Sequence, residues 1–338
     1  MTSRCAFLSF RFGTTDGVSI VARSWMRILA DLGFEIVTVA GAGQVDRHVA
    51  GLGIGDSRPP DEAALRDALR DVDLVVVENL CTIPLNIPAA LVAGKVLAGR
   101  PTIQHHHDPP WHRPRYAHVT QLPLDDPAWR HVTINRIAAE EMADHGFETT
   151  VIYNGFAPPV GGDRAGRREA LGVADHELLL AHPVRAIERK NLPVAIAAAE
   201  SLDATYWLLG PAEEGYDDTL ADLLARARCR VLHQSCDVQA DIYAAADAVL
   251  FPSIWEGFGN PPIEASLARR PVMVGHYPFA AELRSLGFRF GEPDDPGYLV
   301  RDDHRALDLN ERLAGEHFSI AAVAAALRDL LERAGWLP

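Results

Sequence analysis

Apolar residues fall in short, often β-branched runs, separated by longer stretches in which they recur every three or four positions. Such alternation predicts parallel sheets wrapped by helices. In the first half the strands are read at CAFLSF, FEIVTVAG, DLVVVENL, RPTIQHH and HVTIN, and in the second at LLLAHPV, TYWLLG, CRVLHQ, AVLFPS and PVMVG. Each half has strands enough for its own doubly wound sheet, so the predicted fold class is α/β, with two doubly wound domains facing across a cleft. The segment NGFAPPVGGDRAGRREALG, residues 154–172, is rich in glycine, proline and charge, which predicts a linker with its boundary near Pro158. The final stretch FSIAAVAAALRDLLERAGW is amphipathic and has no strand after it. The expected division is therefore residues 1–158, residues 159–318, and a helix over 319–338 that packs back on the first domain.

Length and charge narrow the function. Single cores stop growing at about 250–300 residues, so 338 residues suit two domains. No apolar run approaches the roughly 18 residues of a membrane span, and the start MTSRCAFLSFRFG reads as a strand rather than a signal peptide. A cytoplasmic protein with no transmembrane segment is expected. A net charge of −14 argues against a nucleic-acid partner, so any anionic ligand must be held by a local cluster of cations. Cys5, Cys81, Cys229 and Cys236 lack CxxC spacing and are read as reduced, mostly buried thiols.

The stretch FPSIWEGFGNPPIEASLARRPVMV places Glu256 and Glu264 around a glycine loop that runs into Pro261 and Pro262. Prolines suit the first helical positions, and Pro271 marks the helix end. The start of such a helix offers free N–H groups to an anion or to sugar oxygens. In HPVRAIERKN the cations Arg185, Arg189 and Lys190 follow a strand, either as a solvated basic turn or as a phosphate clamp. If both loops leave the carboxyl ends of one parallel sheet, carboxylates and cations converge on one ligand. A diphosphate carrying a ribose and a sugar would satisfy both.

In the first half, Gly13, Thr14, Thr15, Asp16 and Gly17 form a small-residue turn between strand and helix. Its backbone can approach a phosphate or an acceptor, and Asp16 equally suits a helix cap. The later GAGQVD lacks the third glycine of a dinucleotide fingerprint, which removes a dehydrogenase reading. In QHHHDPPWHRPRY the strand alternation sends His105 and His107 to one face and His106 to the other, with His107 and Asp108 expected in the cleft. A metal site from His105, His107 and His112 is the competing idea, but no cysteine or second carboxylate cluster accompanies it, so no metal is expected. Arg11, Arg113 and Arg115 suit an anionic acceptor or a merely solvated loop.

These motifs resemble the retaining nucleotide-sugar glycosyltransferases of the GT-B fold, which have two Rossmann-like domains. The likeness rests on PSIWEGFGNPPIEASLARRPVMV, with its glutamates separated by seven residues and Arg270 in place of the usual glycine, and on YAAADAVLFPS, VIYNG and RAIERKN. TDGVS with HHHDPPWHRPR more faintly resembles enzymes that make mannosylglucosylglycerate. The resemblance implies that Glu264 binds the ribose, while Glu256 and the backbone of Phe258, Gly259 and Asn260 hold the donor sugar. It implies further donor contacts from Gly13, Asp16, Gly17, Asn154 and Ile263. Arg185 and Lys190 would neutralise the leaving diphosphate, His107 and Asp108 would act at the reacting sugar, and Arg11, Arg113 and Arg115 would meet a small or glycan acceptor. The nucleotide diphosphate sugar is then a co-substrate, with no cofactor and no metal. The alternatives are a nucleotide-sugar epimerase of the same fold and a catalytically silent nucleotide-sugar binding protein.

Overall fold

The computed structural model describes residues 3–13, 17–116 and 118–338. The chain divides into two compact units, Met1–Gly155 with Ile320–Pro338, and Phe156–Ser319. In the first unit seven strands, β1 (Arg4–Ser9), β2 (Glu35–Ala40), β3 (Arg47–His48), β4 (Leu74–Glu78), β5 (Thr102–His106), β6 (Trp129–Thr133) and β7 (Thr149–Val151), pair in the order β3-β2-β1-β4-β5-β6-β7. Every pairing is parallel. Parallel sheets are covered on both faces, which is why β4 is a continuous apolar run that ends on one charged residue, Glu78. Alternation divides each strand between two cores. Ala6, Leu8, Val75 and Val77 enter one, and Cys5, Phe7, Leu74, Val76 and Ile103 enter the other, where they meet Trp25 and Leu29 of the helix Gly17–Asp31.

The helix Ile320–Ala334 belongs to this first unit. Its Val323, Leu327, Leu330 and Leu331 are buried in the core that holds Trp25. Helix starts follow local capping chemistry: Asn86 accepts from the Ala89 N–H at 3.1 Å and Asn135 from the Ala138 N–H at 2.7 Å, each satisfying a donor with no partner inside its helix.

In the second unit β8 (Leu179–His182), β9 (Thr205–Leu208), β10 (Val231–His233), β11 (Ala248–Phe251) and β12 (Val272–Val274) form a parallel sheet ordered β10-β9-β8-β11-β12. The chain winds outward from β8 to β10, then returns to lay β11 on the other side of β8. Strand order therefore reverses between β8 and β11 here, and between β1 and β4 in the first unit. Open parallel sheets bind ligands beyond the carboxyl ends of the strands at such a point.

The ten predicted strands all form, while β3 and β7, two and three residues long, do not show a period in the sequence. The predicted linker is corrected, because residues Arg164–Leu171 form a helix. Asp163 caps its start by accepting from the Gly166 N–H at 2.9 Å, and Gly172 closes its end in the left-handed region. Its charge is used inward. Arg168 is fully buried and donates to the carbonyls of Ala245, Ala174 and Glu177 and to Asp247. Among the described residues, no helix is long and apolar enough to cross a membrane.

Candidate active site

In the second unit the loops leaving β8 and β11 are laced together at the switch point. The Ile254 N–H donates to the Arg189 carbonyl at 2.9 Å, and the Asn191 side-chain amide donates to the Pro252 carbonyl at 3.2 Å. This brings two cations onto one carboxylate. Lys190 Nζ lies 2.5 Å from Glu256 Oε1, and Arg189 Nη1 lies 2.6 Å from Oε2. Lys190 and Glu256 are buried; burial pushes the Lys190 ammonium down in pKa, and the Glu256 carboxylate opposes that. Two positive charges over one negative charge leave a surplus suited to an anion. Arg185 is placed differently from its neighbours: its Nη1 meets Glu213 Oε2 at 2.5 Å in a half-exposed pair. The cation that joins Lys190 on Glu256 is therefore Arg189 rather than Arg185.

Glu264 occupies the first turn of the helix Pro261–Leu267, as the two prolines predict. Burial pushes its carboxyl up in pKa, and side-chain hydrogen bonds from Tyr243 and Gln239 pull the other way. The Tyr243 hydroxyl donates to Glu264 Oε2 at 2.5 Å. Gly259 stands at φ +87°, and a Cβ there would fall 2.8 Å from the Tyr277 hydroxyl, so only glycine fits. The Phe258 ring is buried and stacks on Phe279 with centroids 4.2 Å apart, which leaves only its backbone for a ligand. Ile263 is fully buried in the core, and its N–H already bonds the Asn260 carbonyl at 3.0 Å. The Tyr277 hydroxyl and Ser253 Oγ are buried without a hydrogen-bond partner. No pattern in the sequence singled out Tyr243 or Tyr277.

In the first unit Asn79, just past β4 at φ +62°, accepts at its side-chain oxygen from the N–H groups of His107 at 3.0 Å and Asp108 at 3.2 Å. That fixes the chain where it leaves β5. Glu78 Oε2 lies 2.7 Å from His107 Nε2 and 3.0 Å from His105 Nδ1. Burial pushes the Glu78 carboxyl up, but the charges and hydrogen bonds of His105 and His107 outweigh it and hold it down at about 2. His105 stacks on Trp25 with ring centroids 4.0 Å apart. On the opposite face His106 Nδ1 lies 2.7 Å from Thr82 Oγ1, and its Nε2 lies 2.8 Å from His131 Nδ1. The alternation read from the sequence therefore holds.

His112 does not join its neighbours. It bonds Glu141, which also accepts from Trp111 Nε1 at 2.8 Å. The competing histidine trio does not assemble; the residues that do come together are Glu78, His105 and His107, whose candidate ligand atoms all lie within 4.8 Å of one another. Glu78 was missed, although a lone charge ending an apolar buried strand is a legible signal. Asp108 pairs with Arg113 at 3.2 Å, and the Arg115 guanidinium lies 4.6 Å from the Tyr116 ring centre. Arg11 is exposed. The Gly13 N–H donates to Ser19 Oγ at 2.9 Å and its carbonyl accepts from Arg23 at 2.7 Å, so this part of the turn is engaged within the unit. Gly17 begins the first helix and is exposed. Thr14, Thr15 and Asp16 lie outside the described residues. Asn154 is buried in the first unit, with Oδ1 lacking a partner.

Residues 163–314 match the model of the family Glycosyl transferases group 1. The chain is 25% identical to the mannosylglucosylglycerate synthase of Thermotoga maritima, covering 90% of this chain and 89% of that one. It is 23% identical to the synthase of the same name from Petrotoga mobilis, covering 82% and 84%. The crystal structure of Anabaena HepE in complex with UDP-glucose superposes with a TM-score of 0.76 at 19% identity, covering 98% of this chain and 99% of that one. The overall fold is accordingly GT-B.

Proposed function

We propose, from the match of residues 163–314 to the family Glycosyl transferases group 1, that the protein moves a sugar from a nucleotide diphosphate donor to a small anionic acceptor, with retention at the anomeric carbon and without metal at the diphosphate. The carrying observation is the Lys190–Glu256–Arg189 cluster at the switch point of the second sheet, with the half-buried Glu264 eight positions after Glu256 in the sequence. As the glycosyl–oxygen bond breaks, its electron pair passes to the diphosphate, and Lys190, Arg189 and Arg185 stabilise the charge that develops. Glu264 accepts from ribose hydroxyls. The buried hydroxyls of Tyr277 and Ser253 gain ligand partners, which matters because an unpaired buried polar group costs about 1–3 kcal/mol. The acceptor hydroxyl attacks on the face the diphosphate leaves, and its proton goes to a departing phosphate oxygen.

Several likenesses support this reading. The HepE structure holds UDP-glucose, and the name of the two synthases describes a product that ends in glycerate, a carboxylate. Arg11, Arg113 and Arg115 would hold such an acceptor. His107, with Nε2 engaged by Glu78, presents Nδ1 to the reacting sugar. Turnover with UDP-, GDP-, ADP- and TDP-sugars tests the proposal. Lys190→Ala should cut kcat at least about 100-fold, the cost of losing one preorganised charge, while the fold persists. Undiminished kcat in that variant would remove the cluster from the reaction.

A further inference from the structure

The group Glu78, His105 and His107 is not explained by sugar transfer alone. Glu78 and His105 are fully buried and His107 almost so. Glu78 Oε1 and both ring nitrogens of His105 have no hydrogen-bond partner, although Glu78 Oε2 stands only 3.0 Å from His105 Nδ1. A buried carboxylate with an unpaired oxygen, set beside an imidazole with an unpaired ring nitrogen, is a donor set that a cation would satisfy. The Trp25 stack holds the His105 ring in this position, and the side chain of Asn79 holds the backbone of His107.

We infer that Glu78, His105 and His107 bind a divalent transition-metal ion of the zinc class. Two imidazoles and one carboxylate are a donor set that zinc accepts, with bonds of about 2.0–2.2 Å. Tetrahedral bonds of that length put neighbouring ligand atoms about 3.3 Å apart. The present separations of 2.7 and 3.0 Å reach that by opening less than an ångström. Glu78 Oε2 then faces the cation, and His105 Nδ1 gains its partner while Nε2 carries the ring proton. The role is structural: the ion ties the carboxyl ends of β4 and β5 together and fixes the His107 ring. The site shares His107 with the transfer reading, through the other ring nitrogen, and its test measures metal rather than turnover, so either can fail without the other.

The test uses chelator-stripped full-length protein titrated with zinc and, separately, with cobalt as a visible probe. One equivalent per chain is expected to survive gel filtration and to raise Tm. Glu78→Gln should weaken binding by more than about 100-fold, beyond the loss typical of disturbing a group behind a ligand. His112→Ala should keep its equivalent, since His112 bonds Glu141 instead. Equal zinc retention in wild type and Glu78→Gln, or none in wild type, overturns the site. Should Glu78→Gln fail to fold, the cobalt spectrum of the wild type decides: imidazole and carboxylate ligands give no thiolate charge-transfer band, and such a band would assign the metal to cysteines.

Discussion

Glu256 and Glu264 have the same side chain and different neighbours, so they do different work. Glu256 is neutralised by two cations, whereas Glu264 meets hydroxyl and amide donors and has its carboxyl pushed up by burial. Only the ionised form of Glu264 offers all its lone pairs to ribose hydroxyls. Nucleotide affinity should therefore be full above its raised pKa and fall as pH drops through it, beginning above the ordinary carboxylate range. Glu264→Gln should lose roughly 1.5–3 kcal/mol of nucleotide binding and show no such pH dependence. Calorimetric titration of both proteins across pH 4–8 reads this out, and an unchanged affinity in the variant would discard the ribose role. At this scale the glutamate pair was readable because prolines fixed their helix. Which arginine of ERK and its neighbours meets Glu256 was not, since that depends on a 3-10 turn that points Arg189 inward and leaves Arg185 on Glu213.

Elements were legible where burial imposes a period and illegible where charge is used inside. Ten strands followed from apolar runs, yet the helix Arg164–Leu171 read as linker, because its buried Arg168 carries polarity into the unit. Its capping residues, Asp163 and Gly172, were visible signals at both ends. The helix Ile320–Ala334 supplies a direct test of element packing. Leu327 is fully buried against the core that contains Trp25 and Leu29, so Leu327→Ala should destabilise the first unit by about 2–5 kcal/mol, the usual cost of a buried leucine truncated to alanine. Denaturant unfolding measures it. A loss below about 0.5 kcal/mol, the range of exposed positions, would show that this helix contributes no core to the first unit.

For the molecule as a whole, the chain makes one unit, crosses to a second, and returns to finish the first with its last helix. The proposed labour divides along the same line, with nucleotide groups in Phe156–Ser319 and acceptor groups in Met1–Gly155. A chain of net charge −14 repels an anionic acceptor, so the cations that receive it must be concentrated locally. Arg113, already facing Asp108, and Arg115, over Tyr116, are the two on one loop. Arg113→Ala and Arg115→Ala should leave nucleotide affinity at its wild-type value and raise the acceptor KM by about 1.5–3 kcal/mol per lost contact, the worth of a bond to a charged group. An uncharged sugar acceptor should be indifferent to both changes. His107→Ala should behave differently, lowering kcat more than it raises the acceptor KM, because its partner charge develops only as the donor bond breaks. Steady-state kinetics with donor and acceptor varied in turn separate these effects: wild-type acceptor KM in both arginine variants would eliminate the anionic acceptor, and a wild-type kcat in His107→Ala would take that histidine out of the reaction.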